Sequence, residues 1–104
     1  MSIAQNEIFG PVLAQIDFDN FNEVVSQANQ TFYGLAASIW TQDLNRAHQA
    51  AKALKVGTVW VNHFGAFDHA MPFGGYKMSG FFREGGRSTF DFYTQLKSIW
   101  IHLE

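Results

Sequence analysis

The 104-residue chain has no cysteine, two prolines and few charges, with only 15% of its residues Asp, Glu, Lys or Arg. A typical soluble domain carries about a quarter. The lack of cysteine excludes a disulfide framework, a thiolate metal site and a cysteine nucleophile. The formal net charge of −2 gives no electrostatic footprint for nucleic acid. No polybasic cluster marks an anionic membrane surface. No apolar run approaches membrane-spanning length, and the first residues (Met-Ser-Ile-Ala-Gln-Asn-Glu) lack the basic and apolar regions of a signal peptide. The expectation is a cytoplasmic protein with neither nucleic acid nor membrane as a partner.

Phosphate loops are also missing. No Gly-x-Gly-x-x-Gly occurs. Gly75 and Gly80 have Walker A spacing, but Phe81 and Phe82 stand where Lys and Ser/Thr should follow. Ser79 is not a nucleophile elbow, because Lys77 occupies the place of the first glycine.

What the chain does have is apolar surface: 47% of it is hydrophobic and 16% aromatic. At this length it makes one domain, residues 1–104, and small domains bury a smaller fraction of their surface than large ones. Apolar surface is therefore expected to be covered by another domain or subunit.

Strand periodicity runs through residues 12–18, with Val12, Ala14, Ile16 and Phe18 on one face. Asn20 and Glu23 form a capping-box pattern ahead of Phe21, Val24, Val25 and Ala28 at helical spacing. Gly34 breaks that pattern, and residues 35–40 read as a buried strand. Asp43 can cap a second helix with Leu44, Ala47, Ala51 and Leu54 on one face. Lys52 and Lys55 suit its C-terminal dipole, and Gly57 is its expected stop. Residues 58–62 (Thr-Val-Trp-Val-Asn) are strand-like. A short helix is expected within residues 86–94, and alternation over residues 97–103 predicts a final strand. The order is α/β, with helices flanking a largely parallel sheet. The last strand, apolar on one face and carrying Trp100 on the other, would be an open edge that calls for a partner.

Six of the nine glycines fall between Gly65 and Gly86. Within that stretch, residues 72–80 (Pro-Phe-Gly-Gly-Tyr-Lys-Met-Ser-Gly) are interleaved with aromatics. Gly74 and Gly75 would let two backbones approach closely or turn sharply. The stretch reads as a pocket wall or subunit contact, or as a well-packed surface loop. His63 and His69 with Asp68 between them are thin grounds for a metal, and ordinary loop histidines are preferred. Glu7, ahead of Ile8-Phe9-Gly10-Pro11, is either a surface carboxylate or one that accepts hydrogen bonds from a ligand hydroxyl such as a ribose. Arg83 and Glu84 can form an ion pair or position the loop. No nucleophile–base–orienter set can be assembled.

Four segments, in order and spread over nearly the whole chain, resemble one family. Glu7-Ile8-Phe9-Gly10-Pro11-Val12 and Tyr33-Gly34-Leu35-Ala36-Ala37 resemble segments of the NAD(P)-dependent aldehyde dehydrogenases. So do Gly57-Thr58-Val59-Trp60-Val61-Asn62 and residues 72–80 followed by Arg83-Glu84. Two departures stand out: Asn6 replaces a common second glutamate, and Phe82 stands where glycine is frequent.

The resemblance implies a C-terminal part of such an enzyme's catalytic domain, with the cysteine nucleophile, general base and oxyanion asparagine lying outside it. The family reaction forms a thiohemiacetal on that cysteine, passes hydride to nicotinamide and hydrolyses a thioester. This chain would be inactive alone. NAD or NADP would be the cofactor of the full-length enzyme, with no tight binding expected here. Residue by residue, the resemblance assigns Glu7 to the nicotinamide ribose, Phe9 to packing near the nicotinamide, Phe67 and Phe73 to the substrate tunnel, and residues 96–103 to an assembly strand. Partners would be further copies of this chain or a longer dehydrogenase chain, onto which it might instead dock as a stand-alone, non-catalytic module. Met1-Ser2-Ile3-Ala4 resembles an internal family segment, from which a start at an internal methionine, or a truncated gene, is expected.

Overall fold

The computed structural model describes residues 2–104. After a 3-10 turn at Ser2–Ala4, the elements are α1 (Phe21–Asn29), β1 (Tyr33–Gly34), β2 (Ala36–Ile39) and α2 (Leu44–Ala53), then β3 (Thr58–Val61), β4 (Tyr76–Lys77) and α3 (Thr89–Tyr93). The fold is α/β, but in place of one largely parallel sheet the described residues form two two-stranded sheets, one parallel and one antiparallel. β2 and β3 pair in parallel, with Ala36 opposite Thr58 and Ile39 opposite Val61. β1 and β4 pair antiparallel, with Tyr33 opposite Lys77. The parallel pair with α2 as its crossover is the βαβ unit at the centre of the fold.

Local chemistry explains the helices. Asn20 caps α1: its Oδ1 accepts from the Glu23 N–H at 3.0 Å. The Glu23 carboxylate reaches back to the Asp19 N–H at 2.8 Å, one residue short of the usual capping-box donor. Asp43 caps α2 in the same way, accepting from the Arg46 N–H at 3.1 Å. Asn29 then joins the ends of both helices. Its Nδ2 donates to the Ala53 carbonyl and its Oδ1 accepts from the Lys55 N–H.

Several expectations need correction. Residues 12–18 form no strand and are exposed throughout, with Leu13 at 91%. Residues 97–103 form none either, and Trp100 is 94% exposed. Both have strand periodicity, but a strand exists only where a neighbour accepts its ladder. The described residues supply no such neighbour to either segment. The strand expected to be buried at 35–40 is half-buried over Ala36–Ile39, and Leu35 and Trp40 are exposed. The inner face of α2 includes the expected Ala47, buried, and Ala51 and Leu54, half-buried, and adds Ala50, whereas Leu44 at its start is exposed. Gly57 does not stop the helix, which is capped at Leu54.

Ala47 and Ala50 are the buried hydrophobic residues among those described, and no large side chain is fully buried. The accessible surface is 9240 Å². A compact monomer of this mass would expose about 5,900 Å². The radius of gyration is 18.9 Å and the longest extent 74 Å, against about 13 Å for the radius of gyration of a compact 100-residue domain. The chain holds an ordered α/β centre with apolar arms. No helix among the described residues is long and apolar enough to cross a membrane.

Candidate functional site

The glycine-rich stretch folds back on the end of the βαβ unit, and each of its characteristic residues has an identifiable contact. A Cβ on Gly57 would overlap the carbonyl oxygen of Gly74. Only glycine at 57 lets this loop seat against the start of β3. A Cβ on Gly75 would overlap Ser79, so the turn closes on itself. The Ser79 Oγ accepts from the Gly34 N–H at 3.0 Å, which links the turn to β1. Lys77 adopts φ +53°, an unusual conformation for a side chain of its length. Its Nζ donates to the carbonyls of Asn29 (3.0 Å) and Thr31 (2.9 Å). A cation is thereby placed at the C-terminus of α1, on the carbonyl of its last residue and on that of Thr31 just beyond it, where the helix dipole favours it.

The aromatic residues make a row. Trp60, on β3, donates its indole N–H to the Ala66 carbonyl at 2.8 Å. Its ring meets Phe64 at 5.4 Å and Phe67 at 5.7 Å, and Phe67 meets Phe73 at 5.0 Å, all edge to face. This spacing and orientation suit aromatic quadrupoles. Phe67 is 67% exposed and Phe73 half-buried. The two expected tunnel residues are thus in direct contact and present an apolar face. The Phe73 backbone is held in both directions by Glu84, through N–H to carbonyl bonds of 2.7 and 2.8 Å.

Glu7 and Phe9 lie elsewhere, in the irregular segment before α1. The Glu7 carboxylate is exposed, and Phe9 is 94% exposed. Glu7 borders an open recess of about 500 Å³ whose walls include Gln5, Thr31, Tyr33 and Ser79. A carboxylate beside hydroxyl and amide groups has the donor and acceptor chemistry to receive a sugar hydroxyl. Asn62, expected only as the last residue of a strand, lies just past β3 and is the other unusual backbone position, with φ +53°. Its side chain bonds both the N–H and the carbonyl of Thr41, each at 2.8 Å, and so ties the ends of β2 and β3. Its position one residue past a β-branched run was the available signal. His63 and His69 are both exposed. Among the described residues, no group of three or more His, Cys, Asp or Glu is placed to hold a metal.

The model of the aldehyde dehydrogenase family matches residues 1–99. This chain belongs to the aldehyde dehydrogenase family. It is 52% identical over its full length to the putative aldehyde dehydrogenase DhaS of Bacillus subtilis, and 50% identical to betaine aldehyde dehydrogenase 2 of Rhizobium meliloti. It covers 21% and 22% of those proteins. An aldehyde dehydrogenase from Bacillus cereus, solved as an NAD+ complex, superposes with a TM-score of 0.90 at 48% identity, over all of this chain and 21% of that one. The chain therefore spans about a fifth of the length of the aldehyde dehydrogenases it matches.

Proposed function

We propose that the 104 residues form the C-terminal part of the catalytic domain of an NAD(P)-dependent aldehyde dehydrogenase, inactive by themselves. In the assembled enzyme, which oxidises an aldehyde to a carboxylic acid, Glu7 accepts hydrogen bonds from the nicotinamide ribose and Phe9 packs near the nicotinamide. Phe67 and Phe73 form part of the substrate tunnel. Residues 96–103 become a strand only on pairing with another chain or with another part of the enzyme. The observation that carries this reading is the pairing of a family match over nearly the whole chain with only two buried hydrophobic side chains among the described residues. Such a surface needs further protein to cover it. The sequence has no cysteine to supply a thiolate, so the covalent steps fall to residues outside it.

The test is complementation. The portion of the Bacillus subtilis relative outside the matched segment is expressed with and without this chain, and aldehyde-dependent NAD+ reduction is measured. Activity is expected only from the pair. In the active pair, Glu7→Gln should raise the KM for NAD+ with little change in kcat, because it removes a ribose contact made before chemistry. Reduction of NAD+ by the purified chain alone would overturn the reading. So would a pair that co-purifies yet shows no dependence on Glu7. The intact mass of the native protein gives a second check, since a species several times heavier than 11.8 kDa is expected if the segment is used within a whole enzyme.

A further inference from the structure

We infer that Arg83 is a positioning residue that sets the aromatic wall formed by Phe73, Phe67 and Trp60. The argument begins with the backbone. Phe73 and Glu84 exchange a pair of hydrogen bonds, which aligns residues 73–75 beside residues 82–84. The Arg83 side chain reaches from the second strip back across to the first. Its Nη1 donates to the carbonyls of Gly75 and Phe82, both at 2.9 Å. One guanidinium nitrogen thus bridges both strips.

Two further contacts fix the side chain. Its guanidinium carbon sits 5.3 Å from the centre of the Tyr76 ring, within cation–π range. A Cβ at Gly74 would overlap the Phe82 carbonyl oxygen and come within 2.9 Å of the Arg83 Cδ. Glycine at 74 therefore makes room for both the backbone of residue 82 and the arginine stem. Arg83 itself is half-buried. A planar fork that bonds carbonyls while stacking on an aromatic is a property of arginine that lysine does not share.

The wall follows from this bridge. With its backbone fixed on Glu84, Phe73 can present its ring edge to face against Phe67, and Phe67 does the same against Trp60. Without the bridge, residues 74–76 lose their anchor to residue 82, and the Phe73 ring loses its defined angle. Only the significance of this wall for an aldehyde rests on the proposed function; the positioning itself does not.

The test uses the full chain labelled with nitrogen-15. Its three tryptophans, Trp40, Trp60 and Trp100, each give one indole N–H signal. Only Trp60 is in the row. Arg83→Met keeps the apolar stem and removes the bridge. The expected result is a displaced or broadened Trp60 signal, with the Trp40 and Trp100 signals and the helical circular dichroism unchanged. An unmoved Trp60 signal overturns the inference. If Arg83→Met unfolds the chain, Tyr76→Leu removes the stacking face alone; it should move the Trp60 signal, and no movement there overturns the inference equally. In the complemented enzyme, Arg83→Met should raise the KM for the aldehyde and leave that for NAD+ unchanged. A displaced Trp60 signal with an unchanged aldehyde KM would reject the tunnel reading and leave the positioning role standing.

Discussion

Gly57 and Gly74 touch through their backbones, 17 positions apart in the chain, with no room for a methyl group between them. This contact joins the start of β3 to the glycine-rich loop. Gly57→Ala should therefore detach the loop, at a cost of about 1–3 kcal/mol, the usual penalty for inserting atoms into a closed contact. Hydrogen exchange at the Phe73 and Glu84 amides reads this directly, and both should lose protection. Gly10→Ala is the control, because a Cβ at Gly10 meets nothing within 4 Å. Equal effects from the two substitutions would show that the contact has no energetic weight.

Lys77 should matter as a cap rather than as a surface charge. Its ammonium holds two carbonyls that α1 leaves behind, those of Asn29 and Thr31. Lys77→Met keeps the stem and removes both bonds. The expected loss is about 1.5 kcal/mol, the lower end for hydrogen bonds to a charged group because the site is half exposed. Backbone chemical shifts of residues 26–29 should move toward coil values. Lys77→Gly separates the two roles of the residue, since glycine tolerates the +53° φ yet carries no ammonium. If Lys77→Gly leaves the end of α1 intact, the cap is not what holds it.

Phe82, which stands where the family resemblance leads one to expect glycine, has a partner in the structure. Its ring meets Phe92 edge to face at 5.0 Å, which joins the glycine-rich loop to α3. Such a pair contributes about 0.5–1.5 kcal/mol beyond area burial. Phe82→Gly should loosen α3, a five-residue helix with no side-chain cap bond. The amide signals of residues 89–93 should lose dispersion, whereas those of α2 should not. A double-mutant cycle with Phe92→Ala isolates the pair. A coupling energy near zero would reduce the contact to coincidence.

Where the chain's own residues complete a local pattern, the sequence was legible. Asn20 with Glu23, and Asp43, marked the starts of α1 and α2 correctly, because a cap is settled within four residues. Thr58–Val61 was readable from its β-branched and aromatic content, and the need for glycine at 74 and 75 from the turn they make. Residues 12–18 were misread as a strand formed within this chain, and residues 97–103, read as an open edge that calls for a partner, form no strand here, because periodicity records a face to be covered and not the strand that covers it. Phe67 and Phe73 meet in space. Phe9 could be named only through family likeness, and without that likeness Glu7 read also as a surface carboxylate, since an exposed carboxylate has no local signature. Arg83 was legible as a residue able to position the loop, but its two carbonyl partners depend on a turn that sequence spacing does not describe.

The exposed apolar arms lead to a last expectation. Leu96, Ile99, Trp100, Ile101 and Leu103 are each at least three-quarters exposed. The whole chain exposes some 3,300 Å² more than a compact monomer of its mass would. A standard interface takes about 800 Å² from each partner, so the excess equals several interfaces. The isolated chain should therefore associate as its concentration rises, and should bind an apolar dye. Sedimentation velocity across a hundredfold concentration range measures the first and dye fluorescence the second. Removing residues 96–104 should lower association and dye binding together if these residues form the principal contact. If dye binding falls while association persists, the contact runs instead through residues 12–18 or the aromatic row, and Leu13→Asp becomes the informative change because that side chain is 91% exposed. A chain that stays monomeric at the highest concentration and binds no dye would mean that the arms fold back onto the α/β centre in solution, and the proposal that further protein must cover them would fall.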